Sequence, residues 1–306
     1  MAIIDFRLRP PYGNLKYFYD EKVGFVNIKN TVQRFGFPNT ESVQQASMDL
    51  LLKEMDEARV TLGVAHGRKA FGSNEESLKL EEEYPGKFVV FPDIDPLGGE
   101  ASVAEIEALK AAHPGIKGIL FEPGFAAVSS NKQQGNDSTS KDGLHVEVLT
   151  EKYRRPITIP VNDDRFLPIY DICQEKGLLV HMTISPRGLV LLDSDVPRQI
   201  DEVAGMFPKL NIVLGHGGYP FVNEFSGIAF KRQNVYIVPD VFGINAPGGD
   251  EYIKAANYLL PDKILFGSAH PIAPTSGAVQ FYKERIRPEV ADKFFYHNAA
   301  KLLGLE

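Results

Sequence analysis

Two arginines stand two residues apart near the start of the chain, in the stretch AIIDFRLRP. In an extended strand, residues i and i+2 point to the same face, so Asp5, Arg7 and Arg9 are expected on one side. A guanidinium group is permanently charged and can bind a carboxylate through two parallel hydrogen bonds. The pair therefore indicates a site that holds a carboxylate or polarises a carbonyl. The structural alternative is a buried network in which the arginines pair with Asp5, Glu122 or Asp240.

Further ionisable residues stand at or near the ends of later β-rich runs. Histidine titrates near neutral pH, and carboxylates can share its proton, so these residue types suit general acid–base chemistry. The predicted catalytic residues are His181, His216, Asp240 and Glu122. The predicted substrate-binding residues are Arg7, Arg9 and His270. A single such histidine is often structural, but polar residues at six strand ends favour a functional site.

The elements that must position these residues alternate along the chain. Short runs rich in Ile, Val and Leu are separated by amphipathic stretches, which is typical of parallel strands and helices. This pattern predicts an α/β fold, specifically a (β/α)8 TIM barrel. A doubly wound sheet is the second choice, since no GxGxxG turn follows a strand. The predicted strands are 2–8, 61–67, 87–94, 115–122, 178–184, 211–217, 235–241 and 264–270.

The domain organisation is predicted to be simple. We expect a single barrel domain over residues 1–306, with loop insertions at about 11–40 and 124–160. In a barrel both insertions follow strands on the side where active sites are built. The first is rich in Tyr and Phe, whereas the second contains a polar tract.

Composition narrows the classes of partner. The net charge is −7 and no long basic tract is present, which argues against a nucleic-acid partner. Cys173 is the single cysteine, so an intrachain disulfide and a cysteine-rich zinc site are excluded. No apolar run approaches the ~18 residues of a membrane helix. We expect a cytoplasmic protein that acts on a small carboxylated molecule and has no membrane partner. A homo-oligomer is compatible with this composition.

Several motifs, in order along the chain, resemble those of the amidohydrolase-related superfamily, in the branch with aminocarboxymuconate-semialdehyde decarboxylases and small lactonases. They are IIDFRLR, GIKGILFEPGF, GLLVHMT, IVLGHGGYP, ILFGSAHP and FFYHNAAKLLGL. The ordered set extends over nearly the whole chain. The resemblance independently implies a TIM barrel.

The departures from the family pattern concern its metal site. Where the resemblance implies a His-x-His pair of metal ligands, this chain has Arg7 and Arg9, and the expected strand-eight aspartate is Ala269. His181 and His216 match the remaining family histidines. Arginine only donates hydrogen bonds and remains charged, so it cannot ligate a metal. We therefore predict no metal and no cofactor, with fixed positive charge in the metal's place.

Three functions follow from the residues and the resemblance. The first is a metal-independent hydrolase of a small carboxylated lactone, ester or amide. The second is a decarboxylase or another carbon–carbon lyase, in which cationic groups stabilise a carbanion or enolate. The third is a non-catalytic carboxylate-binding barrel. We expect a hydrolase, with a carboxy-lyase as the alternative enzyme.

Overall fold

The computed structural model describes residues 1–19, 32–69, 72–123, 146–148, 154–156, 159–186 and 193–306. Much of the predicted insertion at 124–160, and the middle of the one at 11–40, lies outside these ranges. From the first insertion, the structure describes a 3-10 segment, Gly13–Tyr19. Among the described helices, none combines the length and apolar content needed to cross a membrane.

Parallel strands form the wall of the fold. The strands are β1 Ile3–Leu8, β2 Val60–His66, β3 Phe88–Phe91, β4 Asp93–Ile94, β5 Gly118–Phe121, β6 Val146–Val148, β7 Arg154–Pro156, β8 Leu179–Thr183, β9 Ile212–Gly215 and β10 Val235–Val238. β1, β2 and β3 pair in that order, and β4, β5, β8, β9 and β10 pair through a second set of parallel ladders. β3 and β4 are separated only by Pro92, so they join the two sets into one wall. β6 and β7 form a separate antiparallel pair.

Residues 263–270 close the barrel as its eighth wall segment. On one side, the Leu265 amide donates to the Ile237 carbonyl of β10 at 2.9 Å. On the other side, the Phe6 amide of β1 donates to the Phe266 carbonyl at 2.9 Å. The predicted TIM barrel is therefore confirmed.

The eighth segment differs from the continuous strand predicted at 264–270. Its pairing is limited to single parallel bridges, Ile237 with Ile264 and Leu8 with His270. The Ser268 amide donates to a carboxylate oxygen of Asp5 at 2.9 Å. Because this amide bonds a side chain and the next residue leaves the extended conformation, no regular ladder forms.

The core has two layers, as the barrel architecture requires. A smaller cluster combines inward strand residues with three residues of the C-terminal helix: Ile4, Phe6, Val64, Phe91, Leu179, Val213, Val238 and Leu265, with Ala299, Ala300 and Leu303. A larger cluster lies between the strands and the surrounding helices. Apolar side chains on both strand faces explain the continuous hydrophobic runs of the sequence.

The helices lie outside the barrel and connect successive strands. Met48–Ala58 illustrates why they form: Ser47 caps its first turn, and Leu51 and Met55 bury one face. The α-helices are α1 Glu41–Gln45, α2 Met48–Ala58, α3 Asn74–Glu83, α4 Glu100–Ala112, α5 Leu167–Lys176, α6 Val196–Met206, α7 Val222–Lys231, α8 Asp250–Lys254, α9 Thr275–Lys283, α10 Pro288–Asp292 and α11 Asn298–Leu303.

Candidate active site

Arg7, His216 and Asp240 form a buried cluster where β1, β9 and β10 end. The His216 Nδ1 atom lies 2.8 Å from Asp240 Oδ1, and the His216 backbone amide donates to Asp240 Oδ2 at 3.0 Å. Arg7 Nη1 donates to Asp240 Oδ2 at 3.3 Å and lies 3.2 Å from His216 Nδ1. The side chain of Asp240 is fully buried, and 11% of the His216 side-chain surface is exposed to solvent. These contacts bring together three of the residues predicted from the sequence.

The contacts of Asp240 determine the tautomer of His216. A carboxylate only accepts hydrogen bonds, so the 2.8 Å contact requires the proton on Nδ1. Arg7 Nη1 is then a close neighbour of Nδ1 and not its hydrogen-bond donor. The Nε2 atom retains its lone pair, and it makes no hydrogen bond within the described residues. This is the arrangement of an oriented imidazole base.

The electrostatic surroundings keep His216 neutral. Burial and the nearby Arg7 guanidinium lower the pKa of His216 to about 4, although Asp240 acts in the opposite direction. A histidine with this pKa is unprotonated at neutral pH and can accept a proton. The position of Arg7 therefore maintains the base form of its neighbour.

The backbone at this end of the barrel is strained at three residues. His216, Asp240 and Ala269 have positive φ angles of 58°, 42° and 57°. Such left-handed conformations cost on the order of 1–3 kcal/mol for a residue other than glycine. They turn the chain sharply where the three wall segments end, which directs His216 and Asp240 toward Arg7. Strained residues of this kind are common at active sites.

Arg9 and Glu122 lie beside this cluster and are accompanied by Arg68. Glu122 Oε2 forms an ion pair with Arg68 Nη1, whereas Glu122 Oε1 lies 3.6 Å from Arg9 Nη2. The guanidinium of Arg9 makes no hydrogen bond among the described residues, and its Nε atom is buried without a partner. Burial and the neighbouring Arg7 and Arg68 groups lower the pKa of Arg9 well below its ordinary value. Arg9 is thus a buried cation with unused donors.

His181 lies deeper, next to His66. The two rings have centroids 4.2 Å apart, and neither ring has a hydrogen-bonded nitrogen within the ranges described. Burial, Arg7, His216 and Arg9 lower the pKa of His181 well below its ordinary value. A Cβ atom at Gly215 would lie 2.4 Å from His181 Cε1, so glycine is needed for this close packing. The predicted catalytic His181 is therefore a neutral, enclosed neighbour of the cluster.

His270 and Asp5 occupy the junction between β1 and the eighth wall segment. Ser268 Oγ donates to Asp5 Oδ2 at 2.5 Å and accepts from the His270 amide at 2.9 Å. Asp5 therefore contacts Ser268 and the Arg7 backbone amide, and neither guanidinium. The expectation that Asp5 shares a face with the arginines assumed that side chains alternate regularly along β1. A register shift between Asp5 and Leu8 interrupts this alternation. Burial raises the pKa of Asp5 to about 7 and lowers that of His270 to about 3.

Two charged residues near the site were not predicted from the sequence. Arg68 follows His66 at the end of β2, and Asp93 stands in β4. The amide of Lys69 donates to Asp93 Oδ2 at 2.9 Å. Both Arg68 and Asp93 influence the pKa of Arg9, which places them near the cationic cluster. Their position at strand ends was a signal that could have identified them.

The donor set does not fit a divalent metal ion. No group of three or more His, Cys, Asp or Glu side chains able to hold a metal occurs in the part of the chain that the structure describes. His216 directs Nδ1 to Asp240 and has Arg7 Nη1 at 3.2 Å. A divalent ion about 5 Å from one guanidinium would be repelled by on the order of 5 kcal/mol at an effective dielectric of 20.

A barrel of eight parallel wall segments, with acid–base groups at one end, defines the class of proteins to which this chain can be compared. The chain belongs to the amidohydrolase family, whose model matches residues 34–305. No curated protein sequence matches the chain.

Solved structures with the same fold extend over nearly the full chain. An uncharacterized TIM-barrel protein from Bordetella bronchiseptica is 28% identical, with 99% of each chain covered and a TM-score of 0.81. A probable 2-pyrone-4,6-dicarboxylic acid hydrolase from Acinetobacter baumannii is 14% identical, with 99% of this chain and 100% of that chain covered and a TM-score of 0.63. A 5-carboxyvanillate decarboxylase from Sphingomonas paucimobilis is 16% identical, with 99% of each chain covered and a TM-score of 0.59. The last two likenesses show the fold alone.

Proposed function

We propose that the protein is a metal-independent hydrolase of a small carboxylated lactone, ester or amide. The observation that carries the proposal is the state of Arg9, a buried guanidinium without a hydrogen bond among the described residues. Its closest described carboxylate, Glu122, lies at 3.6 Å and is already paired with Arg68. A substrate carboxylate would supply the missing acceptors through a two-bonded fork.

His216 is the general base in this proposal. Its Nε2 atom accepts a proton from water while the water oxygen attacks the carbonyl carbon of the substrate. The tetrahedral intermediate then collapses, the bond to the leaving oxygen or nitrogen breaks, and the imidazolium returns the proton to that atom. Asp240 holds the imidazole in the required tautomer and stabilises its transient positive charge.

In this proposal the arginines supply the positive charge that the resemblance assigns to a metal ion. The guanidinium of Arg7, whose Nε atom is buried without a partner, stabilises the developing oxyanion in this proposal. Arg9 binds the carboxylate, and Glu122 positions Arg9 and Arg68 and does not transfer a proton. His181 and His270 line the enclosed end of the site as neutral side chains. Carboxylated ring compounds in the names of two similar structures agree with this substrate class.

Decarboxylation is the second candidate because structures with the same fold include decarboxylases. That reaction needs an acid that protonates the carbanion after carbon dioxide leaves. The four buried histidines have lowered pKa values and are neutral near pH 7, which favours a base over an acid. Hydrolysis is therefore the first choice.

The test is a panel of small carboxylated lactones, esters and amides, including 2-pyrone-4,6-dicarboxylate, with their neutral methyl esters or amides as controls. Acid release is followed at constant pH and carbon dioxide is measured in the same samples. We expect ring opening or bond cleavage without carbon dioxide, a preference for the carboxylated members, and no effect of chelators. His216→Gln should abolish turnover, and His113→Gln, at the C-terminal end of α4, is the matched control.

Two results would contradict the proposal. Stoichiometric carbon dioxide release would establish a lyase. Binding of carboxylates without turnover of any member would favour the non-catalytic barrel.

A further inference from the structure

The 3-10 segment Gly13–Tyr19, here named the strap, follows β1 and lies against the candidate site. The strap is anchored on its outer side. Leu15 is buried, and the Tyr12 hydroxyl just before the strap donates to Glu83 at 2.6 Å. Gly13 has a φ of 47°, and a Cβ atom there would lie 2.7 Å from a carboxylate oxygen of Glu76. The strap is thus held on α3, which contains both glutamates.

Two aromatic residues at the end of the strap contact Arg9. The Cζ atom of Arg9 lies 4.8 Å from the centroid of the Phe18 ring, within the range of a cation–π interaction. The Tyr19 hydroxyl donates to the Arg9 carbonyl at 2.6 Å. On the opposite side, the Arg9 amide donates to the His270 carbonyl at 2.9 Å. The backbone of Arg9 is therefore fixed on both sides, and its side chain is supported by a ring.

The cation–π contact with Phe18 leaves the N–H donors of Arg9 available for a ligand. A cation–π contact uses the face of the guanidinium plane and consumes no N–H donor, whereas a carboxylate partner would use the donors at its edge. Phe18 can therefore hold Arg9 in place while the edge stays available to a ligand. Holding a long side chain before binding also reduces the entropy lost when the ligand binds.

We propose that the strap prepares Arg9 for carboxylate recognition, with Phe18 and Tyr19 as positioning residues that determine the preference of the site for a carboxylate over a neutral group. This inference rests on the proposed function, because it assumes that Arg9 binds the substrate carboxylate. It adds two residues outside the motifs that suggested the site.

The test measures protection of Arg9 from phenylglyoxal, which modifies arginine side chains, by peptide mass spectrometry. Benzoate and benzamide serve as probes because they share shape and planarity but differ in charge. In the wild-type protein, benzoate should slow the modification of Arg9 and benzamide should not. In Phe18→Leu, the benzoate concentration that gives half protection should rise by roughly 2- to 30-fold, as expected for the loss of one cation–π pair.

Three further variants complete the experiment. Phe18→Tyr retains a ring face and should behave as the wild type. Tyr19→Phe removes only the hydroxyl and should weaken benzoate protection without affecting the fold measured by circular dichroism. Phe281→Leu is the matched control. Phe281 on α9 has Arg285 Cζ 3.9 Å from its ring centroid, so it makes a cation–π contact outside the site.

The outcomes separate the two proposals. If benzoate fails to protect Arg9 in the wild type, the carboxylate site itself is wrong, and the strap inference is lost with it. If benzoate protects the wild type, Phe18→Leu and Tyr19→Phe equally, the carboxylate site is supported and the strap inference is refuted. A loss shared by Phe281→Leu would also refute it, because the effect would not be specific to Arg9.

Discussion

Replacing Asp240 by asparagine changes one buried atom in the middle of the candidate site. The carboxylate of Asp240 accepts from His216 Nδ1 and the Val241 amide through Oδ1, and from the His216 amide and Arg7 through Oδ2. An amide group has one accepting oxygen, so one of the two pairs of donors loses its acceptor. The positive φ of 42° at this position is well tolerated by asparagine, so the local backbone conformation should persist.

The expected magnitudes differ for activity and stability. An amide nitrogen facing His216 favours a proton on Nε2, which removes the base and should lower kcat by roughly 10²- to 10⁴-fold. Loss of the negative charge leaves Arg7 buried without its ion-pair partner. Breaking a buried ion pair by removing one partner typically costs about 3–5 kcal/mol of the free energy of unfolding. Asp201→Asn, in an outer ion pair with Lys231 and Arg232, should cost about 1 kcal/mol or less.

The assay combines urea denaturation with nitrogen NMR of labelled histidine. The wild-type spectrum should show His216 neutral with its proton on Nδ1, and the Asp240→Asn spectrum should show the proton on Nε2. A wild-type His216 protonated on Nε2 would rule out its assignment as the general base, because that atom could not then accept a proton. If Asp240→Asn and Asp201→Asn lower the free energy of unfolding equally, the cost assigned to leaving Arg7 buried without its ion-pair partner is wrong.

Two further predictions concern charge. Arg9→Lys keeps the charge and loses the planar fork, so carboxylate affinity should fall by roughly ten- to a hundredfold, the equivalent of ~1.5–3 kcal/mol, with affinity for the neutral analogue unchanged. An unchanged carboxylate preference accompanied by a large fall in melting temperature would make Arg9 structural. The free energy of unfolding should also fall as pH decreases from about 6.5 toward 4, since burial keeps four histidines from binding the protons that the unfolded chain binds. The histidines are His66, His181, His216 and His270. Asp5, with its pKa raised to about 7, acts in the opposite sense between about 3.8 and 7. Burial also raises the pKa values of Glu81 and Asp93, so three carboxyl groups oppose four histidines. Urea denaturation at several pH values checks the slope, which His66→Phe should reduce. A slope that His66→Phe leaves unchanged would contradict this assignment.

The positions of the site residues could be predicted because strand patterns are strong signals. Continuous apolar runs indicated parallel strands, and parallel strands place their C-terminal ends at one rim of a barrel. Arg7, His216 and Asp240 were therefore expected in one region of the barrel. The resemblance to the family located His181 and His216 independently.

The pairing of these residues could not be predicted in the same way. Spacing does not specify side-chain conformations, so the sequence left open which carboxylate would pair with which arginine. The contact of Asp5 with Ser268 depends on the register shift in β1, which has no clear sequence signal. Arg68 was overlooked because it lies two residues beyond the end of β2, yet it is the residue that pairs with Glu122.

Metal content is the most direct test of the central claim that fixed guanidinium groups replace a metal ion. The purified protein is analysed for zinc, manganese and iron, treated with a strong chelator, and assayed on the best carboxylated substrate of the panel before and after treatment. If guanidinium groups take the metal's place, the protein should contain far less than one metal ion per chain and should keep its activity after chelation. About one metal ion per chain, removed together with activity and restored with it, would contradict the account, because catalytic metal sites bind stoichiometrically.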